Sequence, residues 1–168
     1  MDTVIPLRKP RRRRRPAQVP TAPHHLVTLA CRGHEAPFEA WPVASRIAAL
    51  VDRQCVWHGS RLLCWVLLPD RLLLLVAPGD DESLPQLVRR VKCVSAGITN
   101  AVARRRGPVW SAGFEALPLA TEDEARAVAR GMLLQPVHAG LAAHPGDYPF
   151  WNTVWRPEGL VTPEGCAA

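Results

Sequence analysis

Arg11 to Arg15 stand in succession between Pro10 and Pro16, and a second basic group, Arg89, Arg90, Lys92, Arg104, Arg105 and Arg106, recurs farther along. Guanidinium groups at this density match phosphate oxygens in both charge and fork geometry, so the chemistry they suit is contact with a nucleic-acid backbone. Trp110 follows the second group closely and is a candidate to stack on an unpaired base, with Trp65 and Trp151 as weaker ones and a place in the core as the alternative. Bond-breaking chemistry is harder to assemble. His24 and His25 are adjacent, so on a strand they project to opposite faces and make a poor chelating pair. His34, His58, His138 and His144 fall near predicted turns or helix ends. The five cysteines, Cys31, Cys55, Cys64, Cys93 and Cys166, include no C-x-x-C pair. That spacing argues against a zinc site or a disulfide framework and suits reduced thiols in a cytosol. No Ser-His-Asp constellation, glycine-rich phosphate loop or paired-carboxylate site stands out.

The charge is unevenly distributed. Seven of the 21 basic residues and one of the 15 acidic residues lie within the first 16 positions, leaving 14 of each beyond. The net charge of +6 therefore belongs to an arm, and the body is neutral as a whole. Within that body no acidic residue occurs between Ser83 and Phe114, so the second basic group makes a local positive field. Consecutive arginines flanked by prolines cannot pack against one another, which predicts a disordered arm. A hydrophobic content of 48% is ample for one core in 168 residues. No apolar run reaches the roughly 18 residues needed to cross a bilayer, and no secretory signal is expected.

The elements that must position these residues can be read from periodicity. His25 to Cys31 reads as a first strand. Pro42 opens a helix carrying Ile47, Leu50 and Val51 on one stripe and ending near His58-Gly59. Arg61 to Leu68 and Arg71 to Ala77 are apolar runs around a Pro69-Asp70 break: strand, tight turn, strand. Ser83 caps a long helix through Leu87, Val91, Val94, Ile98 and Val102 that stops near Gly107-Pro108. Phe114 to Leu119 suggests a short strand. Thr121 with Glu124 is a capping-box signature for a last helix to about Gln135. The order β-α-β-β-α-β-α predicts an α+β, ferredoxin-like sandwich: an antiparallel sheet with helices packed on one face. Residues 1–22 read as basic arm and linker, 23–155 as the domain and 156–168 as a flexible tail.

Four stretches in order resemble the REP-associated tyrosine transposases, within the HUH group of single-strand DNA endonucleases. They are Pro23 to Thr28, the Leu67-Leu68-Pro69-Asp70-Arg71-Leu72-Leu73 turn, Val109 to Phe114, and Leu134-Gln135-Pro136-Val137-His138-Ala139-Gly140-Leu141 with His144 to Trp151. The resemblance implies DNA transposition by a tyrosine that forms a 5′-phosphotyrosine link, with Mg or Mn held by two histidines and an amide. It also implies DNA partners, single-stranded or hairpin, and leaves a homodimer open. In this sequence Arg71 and Leu73 stand where the paired histidines belong, Gly131 stands at the nucleophile position, and Gln135 stands at the amide position, read either as a relic ligand or as a surface or capping glutamine. Gly131 also costs roughly 1 kcal/mol against alanine inside a helix. Tyr148, the one tyrosine, fits the family's aspartate-tyrosine-proline turn, where packing is the expected role.

The expectation is a cytoplasmic, transposase-like DNA-binding protein that lacks an intact catalytic or metal site and needs no cofactor. Its DNA contacts are assigned to Arg11, Arg12, Arg13, Arg14, Arg15, Arg71, Arg89, Arg90, Lys92, Arg104, Arg105, Arg106 and Trp110. Arg71 has two readings: a cation filling part of a lost metal's place and clamping phosphate, or simple drift. The rival hypotheses are an active transposase with a rearranged site, and a protein-interaction module that does not bind DNA.

Overall fold

The computed structural model describes residues 22–156 of the chain. Five strands, β1 (His24–Ala30), β2 (Arg61–Leu68), β3 (Arg71–Ala77), β4 (Glu115–Leu119) and β5 (Trp151–Thr153), form one sheet in the order β4-β1-β3-β2-β5. Every pairing is antiparallel. The helices are α1 (Trp41–Val51), α2 (Leu84–Val102), α3 (Glu122–Leu133) and the short α4 (Gln135–His138).

β3 lies at the centre because both of its faces are apolar, and burying both is the only way to keep them from water. Leu72, Leu74 and Val76 join Val27, Leu29, Trp65 and Leu67 in a layer beneath α1 and α2. Leu73 and Leu75 point the other way and join Cys64, Val66, Leu68 and Leu119 beneath Ala125, Ala129, Met132 and Leu133 of α3. The expected α+β antiparallel architecture is present, with one correction. The helices do not share one face: α1 and α2 cover one side of the sheet and α3 covers the other. The cause is the all-leucine β3, whose second face needs a cover of its own.

Local chemistry sets the helix ends. In α2 the Ser83 backbone N–H donates to Gln86 Oε1 at 3.0 Å, reciprocal capping at the predicted residue. Thr121 Oγ1 accepts the Glu124 N–H at 3.2 Å, and Glu122, Asp123 and Glu124 load the positive end of α3. α1 stops at Val51, short of His58, because the Trp57 indole N–H takes the Val51 carbonyl at 2.8 Å instead of a further turn. α2 stops at Val102, short of Arg106, where Arg104 turns left-handed with φ 49°.

The predicted apolar stripe of α2 holds only in its first half. Leu84, Leu87, Val88 and Val91 are buried, but Val94 is exposed and Ser95 and Thr99 are buried in its place. β5 had no expectation attached to it. Three residues carry no period, and it exists by pairing Trp151, Asn152 and Thr153 to Val66, Trp65 and Cys64 of β2. Among the described residues no helix is long and apolar enough to cross a membrane.

Candidate nucleic-acid interface

The β2–β3 turn gathers one end of the sheet. The Cys31 N–H donates to Asp70 O at 2.8 Å, Arg32 N–H to Val109 O at 2.8 Å, and Ser111 N–H to Ala30 O at 2.9 Å. β1's last residue, the turn itself and the chain leaving α2 are thus bound together. This brings Arg32, Arg71, Arg104, Arg105 and Arg106 to one end of the domain. Arg32 escaped notice in the sequence, where a lone arginine after a strand gives no signal.

These cations are not equally available. Arg71 is held by its neighbour: its Nε and Nη2 donate to the two carboxylate oxygens of Asp70, each at 2.9 Å. That hydrogen bonding, with the charges of Asp70 and Glu115, raises the Arg71 pKa. Arg105 pairs with Glu35 at 2.6 Å. Arg32, Arg104 and Arg106 are exposed and carry no ion pair among the described residues.

The rest of the predicted basic helix is divided. α2 has 19 residues and so spans about 28 Å, which puts Arg89 and Arg90 at the far end from Arg104. Arg89 is exposed. Arg90 grips Glu82 with both terminal nitrogens and donates its Nε to Val56 O at 2.9 Å. Lys92 caps the Ser111 carbonyl at 2.9 Å and also reaches Gly113 O, and partial burial lowers its pKa. Arg90 and Lys92 therefore serve the fold first. The helix carries no continuous phosphate-facing stripe.

Trp110 requires a correction. Its ring is only 7% exposed, lies 5.3 Å from Phe38 and donates its indole N–H to Ser95 Oγ at 2.9 Å. The ring completes the core over the second half of α2, which is why Ser95 is buried there. It presents no face to a base. Arg11 to Arg15 lie outside the described residues, as do all but the first residue of the tail from 156 to 168 and all but the last residue of the arm and linker from 1 to 22.

The positions matched to the transposase site fall on the α3 side of the sheet. Arg71 and Leu73, two apart on β3, share a face of the sheet, and Leu73 lies in the α3 layer. Leu73 is 8% exposed, facing the α3 layer of Ala129 and Met132. Gly131 lies on an exposed part of α3, where an added Cβ would meet nothing within 4 Å. Gln135 is half-buried and opens α4, beyond the end of α3 at Leu133. Tyr148 is elsewhere. Its hydroxyl donates to Leu67 O at 2.6 Å, and burial pushes its pKa to about 12.

A divalent ion needs several oxygen or imidazole donors converging on one point. A guanidinium and a leucine side chain supply none, and one amide cannot compensate. Among the described residues no three His, Cys, Asp or Glu side chains are grouped to hold a metal ion. The residues at these positions do not fit the ion that the sequence resemblance implies.

No family model matches the chain, and no curated protein sequence matches it. Solved structures do. A REP-associated tyrosine transposase bound to a REP hairpin superposes with a TM-score of 0.58 and 16% identity, over 77% of this chain and 76% of that one. A candidate transposase from Deinococcus radiodurans R1 gives 0.51 and 14%, over 77% of this chain and 98% of that one. At such low identity the similarity is one of backbone architecture. The strand order, the two-sided helical cover and these superpositions together give the chain the fold of the REP-associated tyrosine transposases.

Proposed function

We propose that this transposase-like chain binds DNA without cutting it. The observation that carries the proposal is Leu73, a buried hydrocarbon in the α3 layer at the position of a metal-ligating imidazole. Arg71 is paired to Asp70, Gly131 has no nucleophile, and the Tyr148 hydroxyl, elsewhere in the fold, is bonded to a main-chain carbonyl. Binding is assigned to the arm arginines Arg11 to Arg15 and to Arg89, Arg104 and Arg106, with Arg32 added from the folded domain. Arg71 and Arg105 join only if phosphate displaces their carboxylate partners. The solved relative in complex with a REP hairpin makes hairpin DNA the first ligand to try. The described cysteines, Cys31, Cys55, Cys64 and Cys93, are unbridged, which suits a reducing cytoplasm.

The test is affinity for single-stranded, duplex and hairpin DNA measured across a salt series. Tight binding at low salt that weakens steeply with ionic strength is expected. Failure to bind any of the three at low salt would favour a protein-interaction module on the same scaffold.

A further inference from the structure

The chain has six tryptophans, and five are anchored through the indole N–H. Trp57 donates to Val51 O, Trp65 to Asp52 Oδ1, Trp110 to Ser95 Oγ, Trp151 to Pro145 O and Trp155 to Glu122 Oε1. Trp41 differs on both counts. It is 61% exposed, and its N–H has no partner among the described residues. A large ring left in water is costly, since the hydrophobic effect favours burying it. Folding alone gives this ring no reason to be there.

Its backing is rigid. The Trp41 ring leans on Phe150 with centroids 4.9 Å apart, and Phe150 meets Tyr148 edge-on at 5.8 Å. Tyr148 is fixed by its hydroxyl to Leu67 O, and Phe150 by its carbonyl, which accepts the Leu67 N–H at 2.9 Å. The indole is thus backed on one side by a fixed aromatic pair, and most of its surface is open.

Its position supplies the occupant. Trp41 opens α1 three residues after Phe38, whose N–H donates to Pro69 O in the β2–β3 turn and whose ring touches Trp110. Glu35 of the same segment pairs with Arg105. The open ring therefore sits at the end of the sheet that carries Arg32, Arg104 and Arg106. Glu35 and Asp70 are each engaged by an arginine, which leaves Glu39 as the carboxylate nearest in sequence without an ion pair among the described residues. An aromatic ring at the same end of the fold as guanidinium groups without an ion pair among the described residues matches a nucleotide, with base on ring and phosphate on cation. We infer that Trp41 is the stacking platform for an unpaired base of bound DNA, an assignment that rests on the DNA-binding reading above.

The test uses the full chain and a DNA hairpin carrying unpaired thymidines beside its stem, alongside the same hairpin with abasic sites in that stretch. The wild-type chain is expected to bind the thymidine version about tenfold more tightly. Trp41→Ala should bind both versions alike, at the abasic level, and Trp41→Phe should keep most of the difference. Because the ring is exposed, Trp41→Ala should keep the wild-type circular dichroism and melting temperature. If DNA binds but Trp41→Ala keeps the full preference for thymidines, the platform is refuted and the DNA-binding reading survives; a protein partner would then be the better occupant for the ring. If neither hairpin binds at low salt, both readings fall together.

Discussion

The Arg71 guanidinium and the Asp70 carboxylate, adjacent in sequence, form a two-pronged pair with both contacts at 2.9 Å. The turn that the sequence resemblance makes a metal-ligand position presents an internally neutralised cation. Asp70→Asn should release it. One further phosphate contact steepens the salt dependence of DNA binding by about 0.7 to 0.9 in log-log slope. Stability should change by less than about 1 kcal/mol, because the pair is exposed. Titration of the variant across a salt series checks this, and an unchanged slope would mean that Arg71 does not reach DNA.

Gly131 stands in an exposed helical position with open space where a Cβ would be. Gly131→Ala should therefore stabilise the protein by roughly 0.5 to 1 kcal/mol, by removing backbone freedom from the unfolded chain. Urea denaturation measures it. A loss of stability would show that the glycine is kept for a close approach absent from this structure.

Trp110→Ala should cost about 3 to 5 kcal/mol, as expected for a large ring lost from a core, and it leaves Ser95 without its indole partner. Any loss of DNA affinity should track the loss of folded protein. A variant that stays folded yet loses preference for unpaired DNA would restore the stacking role read from the sequence.

The contrast between Trp110 and Trp41 shows where the sequence was legible. Both β2–β3 strands were placed at their observed bounds, because two long apolar runs around Pro69-Asp70 admit few other readings. Ser83 and Thr121 were found as caps because capping is local chemistry. Which side of the sheet α3 covers was not local: it depends on β3 burying both faces. The same limit hid β5, which is ordered by its partner, and misplaced Trp110, whose neighbours Phe38 and Ser95 are distant in sequence. The residue types at Arg71 and Leu73 could be read directly, but the pairing of Arg71 with Asp70 needed the turn's geometry.

Alkaline pH should destabilise the fold in a defined window. Burial raises the Cys64 thiol from 9.0 to about 12, and Cys31 likewise, chiefly by burial with help from Asp70 and Glu35. Burial also raises Tyr148 from 10.0 to about 12. The unfolded chain thus loses these protons first, so stability is full below about pH 9 and falls as pH rises toward 12. Denaturation midpoints at pH 8, 10 and 11 should decline, and Cys64→Ala should flatten the decline. A midpoint independent of pH over this range would contradict the burial assigned to these groups.

The central claim, DNA binding without strand scission, is tested most directly by incubating the full chain with end-labelled hairpin DNA and Mn2+ or Mg2+. Each sample is then split between a native and a denaturing gel. The account predicts a retarded complex on the native gel and intact, protein-free DNA on the denaturing one. A covalent protein–DNA adduct that disappears in Tyr148→Phe would contradict it.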